Sequence, residues 1–349
     1  MSRPLRFIIS ILLCLSIFRL PAQDIHFTLF DYSPLTLNPA YSGAFYGSIR
    51  VGGIYRDQWA SFMDNPYRTP SFYLDAPLFR GFGEHDWVGA GLMFYSDQAG
   101  AGNLRTNASM LSAAYHIGLG EDGQTVLTIG GQGGNVQRRI DIQSTNLRFA
   151  DELDPGVGGG GLGIGNGADR SASENVNYLD FSAGLMLRTP LGESSRLELG
   201  GSVHHLTQPE YGFFGERSGT SADNRPMRIN AHGKLTAALS EKWQLTPMAL
   251  FQLVEGVTNI HLQAWLGYLI NPDKDIRFNF GTGYRFGDAI PVMAGMDIDR
   301  LRVGLGYDIN TSSLSRATNT VGGFELAASY IINIYKKPQV DPAILCPAF

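Results

Sequence analysis

Three sets of residues have types and spacings that could do chemistry. Gly156-Val157-Gly158-Gly159-Gly160-Gly161 satisfies the G-x-G-x-x-G spelling of a phosphate-cradling turn. Such a turn works between a strand and a helix, whose N-terminal amides face a pyrophosphate. Here no helical pattern follows, so the run reads as an outward glycine loop. His204-His205 is the one adjacent histidine pair. Neighbouring strand residues point to opposite faces, so the two are expected not to share a metal. His116, His232 and His261 fall on other segments, and no cysteine assists. Asp151, Glu152 and Asp154, with His204 and Glu210, could supply the acid–base groups of a surface hydrolase. Nothing in their spacing fixes a geometry, and a solvated acidic loop accounts for them. The expectation is therefore no catalytic residue, no metal and no cofactor.

The elements that would position such groups are strands. Beyond about residue 47 the dominant period is two. In 276–286, Ile276, Phe278, Phe280, Tyr284 and Phe286 alternate with Arg277, Asn279, Gly281, Gly283 and Arg285; in 301–308, Leu301, Val303, Leu305 and Tyr307 alternate with Arg302, Gly304, Gly306 and Asp308. About fourteen such segments follow one another, near 47–59, 69–79, 87–97, 103–118, 124–137, 177–189, 195–207, 226–239, 242–254, 257–270, 275–286, 288–297, 299–309 and 321–335. Each has about ten residues or more, twice the usual strand of a soluble sheet and the length of a tilted strand crossing a bilayer.

Composition agrees. The chain has 349 residues, 44% hydrophobic and only 17% charged, with 43 glycines. This much apolar content excludes a disordered chain. Past the N-terminus no apolar run approaches the roughly 20 residues of a spanning helix. Residues 1–22 read as a secretory signal, with Arg3 and Arg6, an apolar stretch from Phe7 to Phe18, and Pro21-Ala22 before Gln23. Cys14 lies inside it, which leaves Cys346 alone and excludes an internal disulfide. Removing the leader makes the net charge more negative than −5 and excludes a nucleic-acid footprint.

The fold class expected is all-β: a transmembrane antiparallel barrel of about fourteen strands. The longest gaps follow the fifth, seventh and thirteenth segments, all odd, while even gaps such as Gly120-Glu121-Asp122-Gly123 are brief. Long outward loops and short periplasmic turns give that parity. Tyr55, Trp59, Tyr95, Trp243, Tyr307, Tyr330 and Tyr335 near strand ends suit interfacial girdles. The polar faces carry Arg50, Arg56, Arg228, Lys234, Arg277, Arg285 and Arg302 against Asp180, Glu198, Asp308 and Glu325, which are expected to pair in a narrow lumen. Interleaved glycines would let a plug approach the wall. Residues 23–46, too apolar for a free tail and broken by Pro34 and Pro39, are the candidate plug or periplasmic segment. The barrel is then 47–335, and 336–349 a periplasmic tail.

The stretch Asp31-Tyr32-Ser33-Pro34-Leu35-Thr36-Leu37-Asn38-Pro39-Ala40-Tyr41-Ser42-Gly43, followed by Tyr55-Arg56-Asp57-Gln58-Trp59, resembles the opening of the PorP/SprF family of outer-membrane proteins of the type IX secretion and gliding system. Asp75-Ala76-Pro77, His205-Leu206-Thr207-Gln208-Pro209, Gly323-Phe324-Glu325-Leu326 and the closing Cys346-Pro347-Ala348-Phe349 extend the likeness along the mature chain. The resemblance implies a non-enzymatic outer-membrane barrel in a Gram-negative cell. Its partners would be the machine's periplasmic ring components, a large secreted adhesin with a C-terminal sorting domain, and membrane lipid. The resemblance marks Asn38, Pro39, Ala40, Tyr41, Gly43, Arg56, Gln58 and Trp59 as structural or partner positions. By residue chemistry alone, Asn38 to Gly43 is equally a structural turn, Arg56 a lumen salt bridge and Trp59 a girdle anchor. The competing reading is a plugged transport barrel for small or hydrophobic solutes, like the fatty-acid channels.

Overall fold

The computed structural model describes residues 24–59, 66–80, 83–100, 103–141, 175–213, 224–313 and 315–334. Fourteen strands form one closed antiparallel barrel. They are β1 (Ile49–Gln58), β2 (Tyr67–Arg80), β3 (Trp87–Ala99), β4 (Leu104–Leu119), β5 (Thr125–Arg139), β6 (Asn175–Pro190) and β7 (Ser195–His204). The second half comprises β8 (Arg228–Ala238), β9 (Trp243–Val254), β10 (Val257–Asn271), β11 (Ile276–Arg285), β12 (Ala289–Ile298), β13 (Leu301–Asn310) and β14 (Val321–Ile332). Each strand pairs with its sequence neighbour, and β1 pairs with β14 to close the ring, Arg56 opposite Glu325. Closure leaves no sheet edge, which is what lets strands lie in lipid.

The wall is inside out relative to a soluble sheet. Leu111 on β4 is 65% exposed, Leu185 on β6 55% and Phe280 on β11 60%, while Ser112, Thr128, Gln132 and Asn230 face inward and are buried. The expected long connections, 140–174, 205–227 and 311–320, all leave odd-numbered strands; the even ones are short. The short-turn end is the periplasmic one by the general habit of such barrels.

Two expectations need correction. Tyr95 is not on the lipid side: it packs against the inner cluster of Leu35, Tyr73, Met93 and Met110. Nor do His204 and His205 point to opposite faces. β7 ends at His204, and His205 takes a left-handed φ of 60°, which breaks the alternation and turns both rings inward, 6.3 Å apart. The leader 1–22, the tail 336–349 with Cys346, Tyr335, Gly156–Gly161 and the acids Asp151, Glu152 and Asp154 lie outside the described residues.

Residues 24–46 run inside the ring. Asp24 contacts Arg225 and Arg228 at the long-loop end, and Gly43 meets Trp87 at the short-turn end. The segment is a chain of single turns: Phe30–Tyr32, Pro34–Leu37 and Pro39–Tyr41. Proline opens the second and third, where a missing N–H costs nothing. Their apolar side chains fill the lumen. Phe27, Leu29, Phe30, Tyr32 and Leu37 pack on Ile54, Met248, Leu250, Trp265 and Met293 of the wall. Methionine suits such packing, because an unbranched thioether adapts to irregular gaps.

Candidate functional site

The residues singled out in the sequence meet at the interface between this segment and the wall, which is the candidate site. It has three zones. At the outer end Asp24 takes three partners: Arg228 at 2.6 Å, Arg225 at 2.8 Å and His205 at 2.9 Å. His205 is itself shared with Asp180 at 2.6 Å. Burial would by itself raise the Asp24 carboxyl, but Arg228 and Arg225, aided by His205, hold it well below the usual carboxylate range. Two residues on, burial first, and then Arg56 and Arg285, push the His26 imidazole well below its ordinary value.

The second zone is a charge network across the ring's seam. Arg56 on β1 donates to Glu325 on β14 and, at 3.0 Å, to Asp308 on β13. Arg285 on β11 reaches Asp308 at 2.8 Å. The segment completes it: the Thr28 and Leu29 amides donate to the two Glu325 oxygens at 2.8 and 2.7 Å, and Thr28 Oγ1 donates to Asp308 at 2.8 Å. Buried charges persist only when paired and hydrogen-bonded on their remaining lone pairs, and the segment supplies those bonds. Lower down, Asp31 accepts from Arg302 at 2.7 Å and Lys234 at 3.4 Å. Burial opposes its ionisation, but Arg302 and Lys234 prevail and hold the carboxyl far below its normal range.

The third zone is the turn Asn38–Gly43. Asn38 caps it, its Oδ1 accepting from the Ala40 amide at 2.9 Å. Its Nδ2 donates to the Leu185 and Gly201 carbonyls of the wall at 3.0 and 3.2 Å. Pro39 and Ala40 rest on Gly130, where a Cβ would lie 2.5 Å from the Ala40 nitrogen and 2.6 Å from the Pro39 carbonyl carbon. Tyr41 stacks on His232, centroids 5.5 Å apart, and donates to Glu198 at 3.3 Å. Ser42 donates to Ser112 at 2.7 Å, and His116, lying flat on Trp87, binds the Ser42 carbonyl. Gly43 has a φ of 70°, and a Cβ there would lie 2.6 Å from the Gly89 Cα, so only glycine fits. Its amide donates to Asp75, which Arg50 grips bidentately at 2.9 and 2.8 Å.

The residues marked in the sequence therefore divide. Asn38, Pro39, Ala40, Tyr41 and Gly43 form one continuous contact with the wall. Arg56 belongs to the seam network with Gln58 beside it, 3.3 Å from its guanidinium. Trp59 sits at the outer rim, edge-on to Tyr67 at 5.3 Å. The wall cations divide their partners: Arg50, Arg56 and Arg285 pair with the wall acids Asp75, Asp308 and Glu325, while Arg228, Lys234 and Arg302 reach Asp24 and Asp31 of the segment. Asp24, Asp31 and Asp75 join the lumen acids that the polar strand faces suggest; two acids within an apolar stretch were the signal for the first pair. The wall histidines converge on the segment: His116, His204, His205, His232 and His261 touch Ser42, Leu37, Asp24, Asn38 and Phe30 in turn. Among the described residues no group of three potential ligands could hold a metal. His204 is committed to Leu37, Ser182 and Ser202, while Glu210 lies in the β7–β8 connection, bridged to Asn224.

A family model described as type IX secretion system membrane protein PorP/SprF matches residues 20–330. A search of curated proteins finds no match. Among solved structures, the chain is similar to the Ralstonia pickettii toluene transporter TbuX, with a TM-score of 0.48 and 10% identity over 86% of this chain and 94% of that one. It is also similar to the CymD monoaromatic hydrocarbon channel (TM-score 0.49, 11% identity, 87% and 94% covered) and the P. putida toluene transporter TodX (0.45, 13%, 86% and 93%).

Proposed function

Because the chain belongs to the PorP/SprF family, outer-membrane barrels of type IX secretion, we propose that it works as a non-enzymatic docking barrel. In this reading it engages the machine's periplasmic ring components, assists secretion and surface attachment of a large adhesin bearing a C-terminal sorting domain, or does both. The observation that carries the reading is the filled lumen. Charge pairs, glycine contacts and an apolar core all commit the inner wall to holding residues 24–46, which suits a rigid post better than a conduit. The short-turn end offers a surface for a periplasmic partner. Tyr46, 81% exposed, stands there beside a cavity of about 390 Å³ lined by Phe45, Trp87, Arg188 and Arg196.

The test is affinity purification of C-terminally tagged protein from outer membranes in mild detergent. Recovery of a ring component or of an adhesin is expected. Recovery of neither, together with steady single-channel conductance in planar bilayers, would replace docking with a transport barrel whose segment 24–46 is a hatch.

A further inference from the structure

We propose that the lipid-facing side of β4–β6 seats one phosphorylated glycolipid of the outer leaflet, its phosphate held by Arg105 and Arg139. The inference needs only a barrel in an outer membrane and not the docking reading. It starts from a pairing that sheets avoid. Arg105 on β4 and Arg139 on β5 are direct cross-strand partners, both exposed on the outward face at the long-loop end. Like charges placed opposite each other on one face are destabilising. Arg105 donates to Gln98 Oε1 at 3.3 Å. Among the described residues neither guanidinium pairs with a carboxylate, Asp141 two positions beyond Arg139 included. Asp57, outward on β1, is taken by Arg68 at 3.5 Å. Two adjacent guanidiniums without an acid form a fork that matches a phosphate.

Below the arginines the same face changes polarity in register. Asn107 lies opposite Gln137, and Gln137 opposite Asn177. One row down Ser109 faces Asn135, and in the next Leu111 and Phe181 flank Gly133. Cation, then amide and hydroxyl, then hydrocarbon is the order of groups in an amphiphile standing in a leaflet: phosphate, sugar and amide linkage, acyl chain. Deeper still, Ala113, Gly131 and Ala183 share a row. A Cβ on Gly131 would meet nothing within 4 Å, so the wall recedes there and leaves room for a chain.

The depth of the polar band selects the headgroup. From Leu111 to Arg105 is about 20 Å along the strand, or roughly 15 Å along the membrane normal at the usual tilt. The headgroup zone of one leaflet is only about 5–8 Å deep. The excess fits a headgroup enlarged by sugars rather than a simple phospholipid. The band is also confined to one side. β4, β5 and β6 have 16, 15 and 16 residues, against 10 in each of β11, β12 and β13. On the opposite side Ile290, Ile309 and Phe324 carry the apolar surface to the outer strand ends.

The experiment uses the full chain, made with its own leader, purified in mild detergent and stripped of bound lipid. Native mass spectrometry follows titration with bisphosphorylated lipid A, the same lipid freed of phosphate, phosphatidylglycerol and inorganic phosphate. The expected result is one lipid A adduct per barrel, bound at least tenfold more tightly than the dephosphorylated form or phosphatidylglycerol and not displaced by inorganic phosphate. Arg105→Gln combined with Arg139→Gln should weaken lipid A at least tenfold, whereas Lys274→Gln in a short turn should change nothing. Equal binding of the two lipid A forms overturns the proposal, as does unchanged affinity in the double variant. Phosphatidylglycerol binding as tightly as lipid A removes the glycolipid. Displacement by inorganic phosphate would reassign the pair to a free anion. Loss of a protein partner from the double variant with lipid A binding intact would reassign the face to an acidic protein. Where the double variant does not fold, the two lipid A forms compared on the unaltered chain decide alone.

Discussion

At its outer end the enclosed segment is held by charge, with Asp24 among Arg225, Arg228 and His205 and the Thr28–Leu29 amides on Glu325. At its short-turn end it is held mainly by fit: Asn38 caps its own turn, Pro39 and Ala40 lie on Gly130, and Gly43 slides past Gly89. Asp75 and Glu198 of the wall accept there from Gly43 and Tyr41. The two modes differ in what disturbs them. Ion pairs in a lumen answer to protonation and to loss of one partner, whereas backbone resting on glycine answers to volume. The difference teaches which half can be released without remodelling the wall: the charged one.

The comparison can be broken in several ways, the largest first. Glu325→Ala strips Arg56 of one carboxylate and leaves two segment amides without an acceptor. It is expected to cost about 3–5 kcal/mol, read as a lower temperature of conversion from the compact to the unfolded band on gels. Asp24→Asn should cost about 1.5–3 kcal/mol at neutral pH, as charge-assisted bonds do. The Asp24 carboxyl titrates lower when folded than when unfolded, so its contribution is complete above the unfolded value of about 3.9. As the pH falls below that value toward the folded one, the gap between wild type and Asp24→Asn should close; urea titrations at pH 7 and pH 3 check it. A gap that widened on acidification would remove charge as the explanation.

Gly130→Val intrudes on the Ala40 backbone and is expected to cost about 1–3 kcal/mol independently of pH. Combined with Asp24→Asn it should be additive within about 0.5 kcal/mol, because the two sites share no partner. A larger coupling energy would mean that the segment behaves as one body. The smallest effect is the calibration. Tyr46→Ala alters an exposed ring beyond both halves and should leave unfolding within about 0.5 kcal/mol of wild type while weakening partner recovery in the affinity purification.

Much of this architecture is legible before any coordinates. Fourteen strands can be counted because period two continues for ten residues or more, which few other folds sustain, and loop parity checks the count. The glycines at 184, 304 and 306 announce close approach, and Asn38, Tyr32 and Leu29 are what approach them. Partner choice inside the lumen is not legible. Arg302 and Asp31 are 271 positions apart, and no spacing along a chain encodes a contact made across a ring. His205 fails for a different reason: a left-handed φ at a strand end reverses a side chain, and only the backbone records it. Tyr95 shows the same limit, since an aromatic near a strand end serves equally as an interfacial anchor or as lumen filling.

The seam bears on assembly. Arg56 and Glu325 face each other in register on the first and last strands, 269 positions apart, and Thr28 is hydrogen-bonded to the pair. A nascent barrel can zip β1 to β13 in order without satisfying this knot, since its final carboxylate arrives on β14. Until then the Arg56 guanidinium and the Thr28 and Leu29 amides lack an acceptor they have in the finished molecule. Completion is thereby tied to the last stave: the cylinder that shuts around its contents gains the Glu325 carboxylate, and a copy truncated before β14 leaves the Thr28 and Leu29 amides without their acceptor and Arg56 with Asp308 alone.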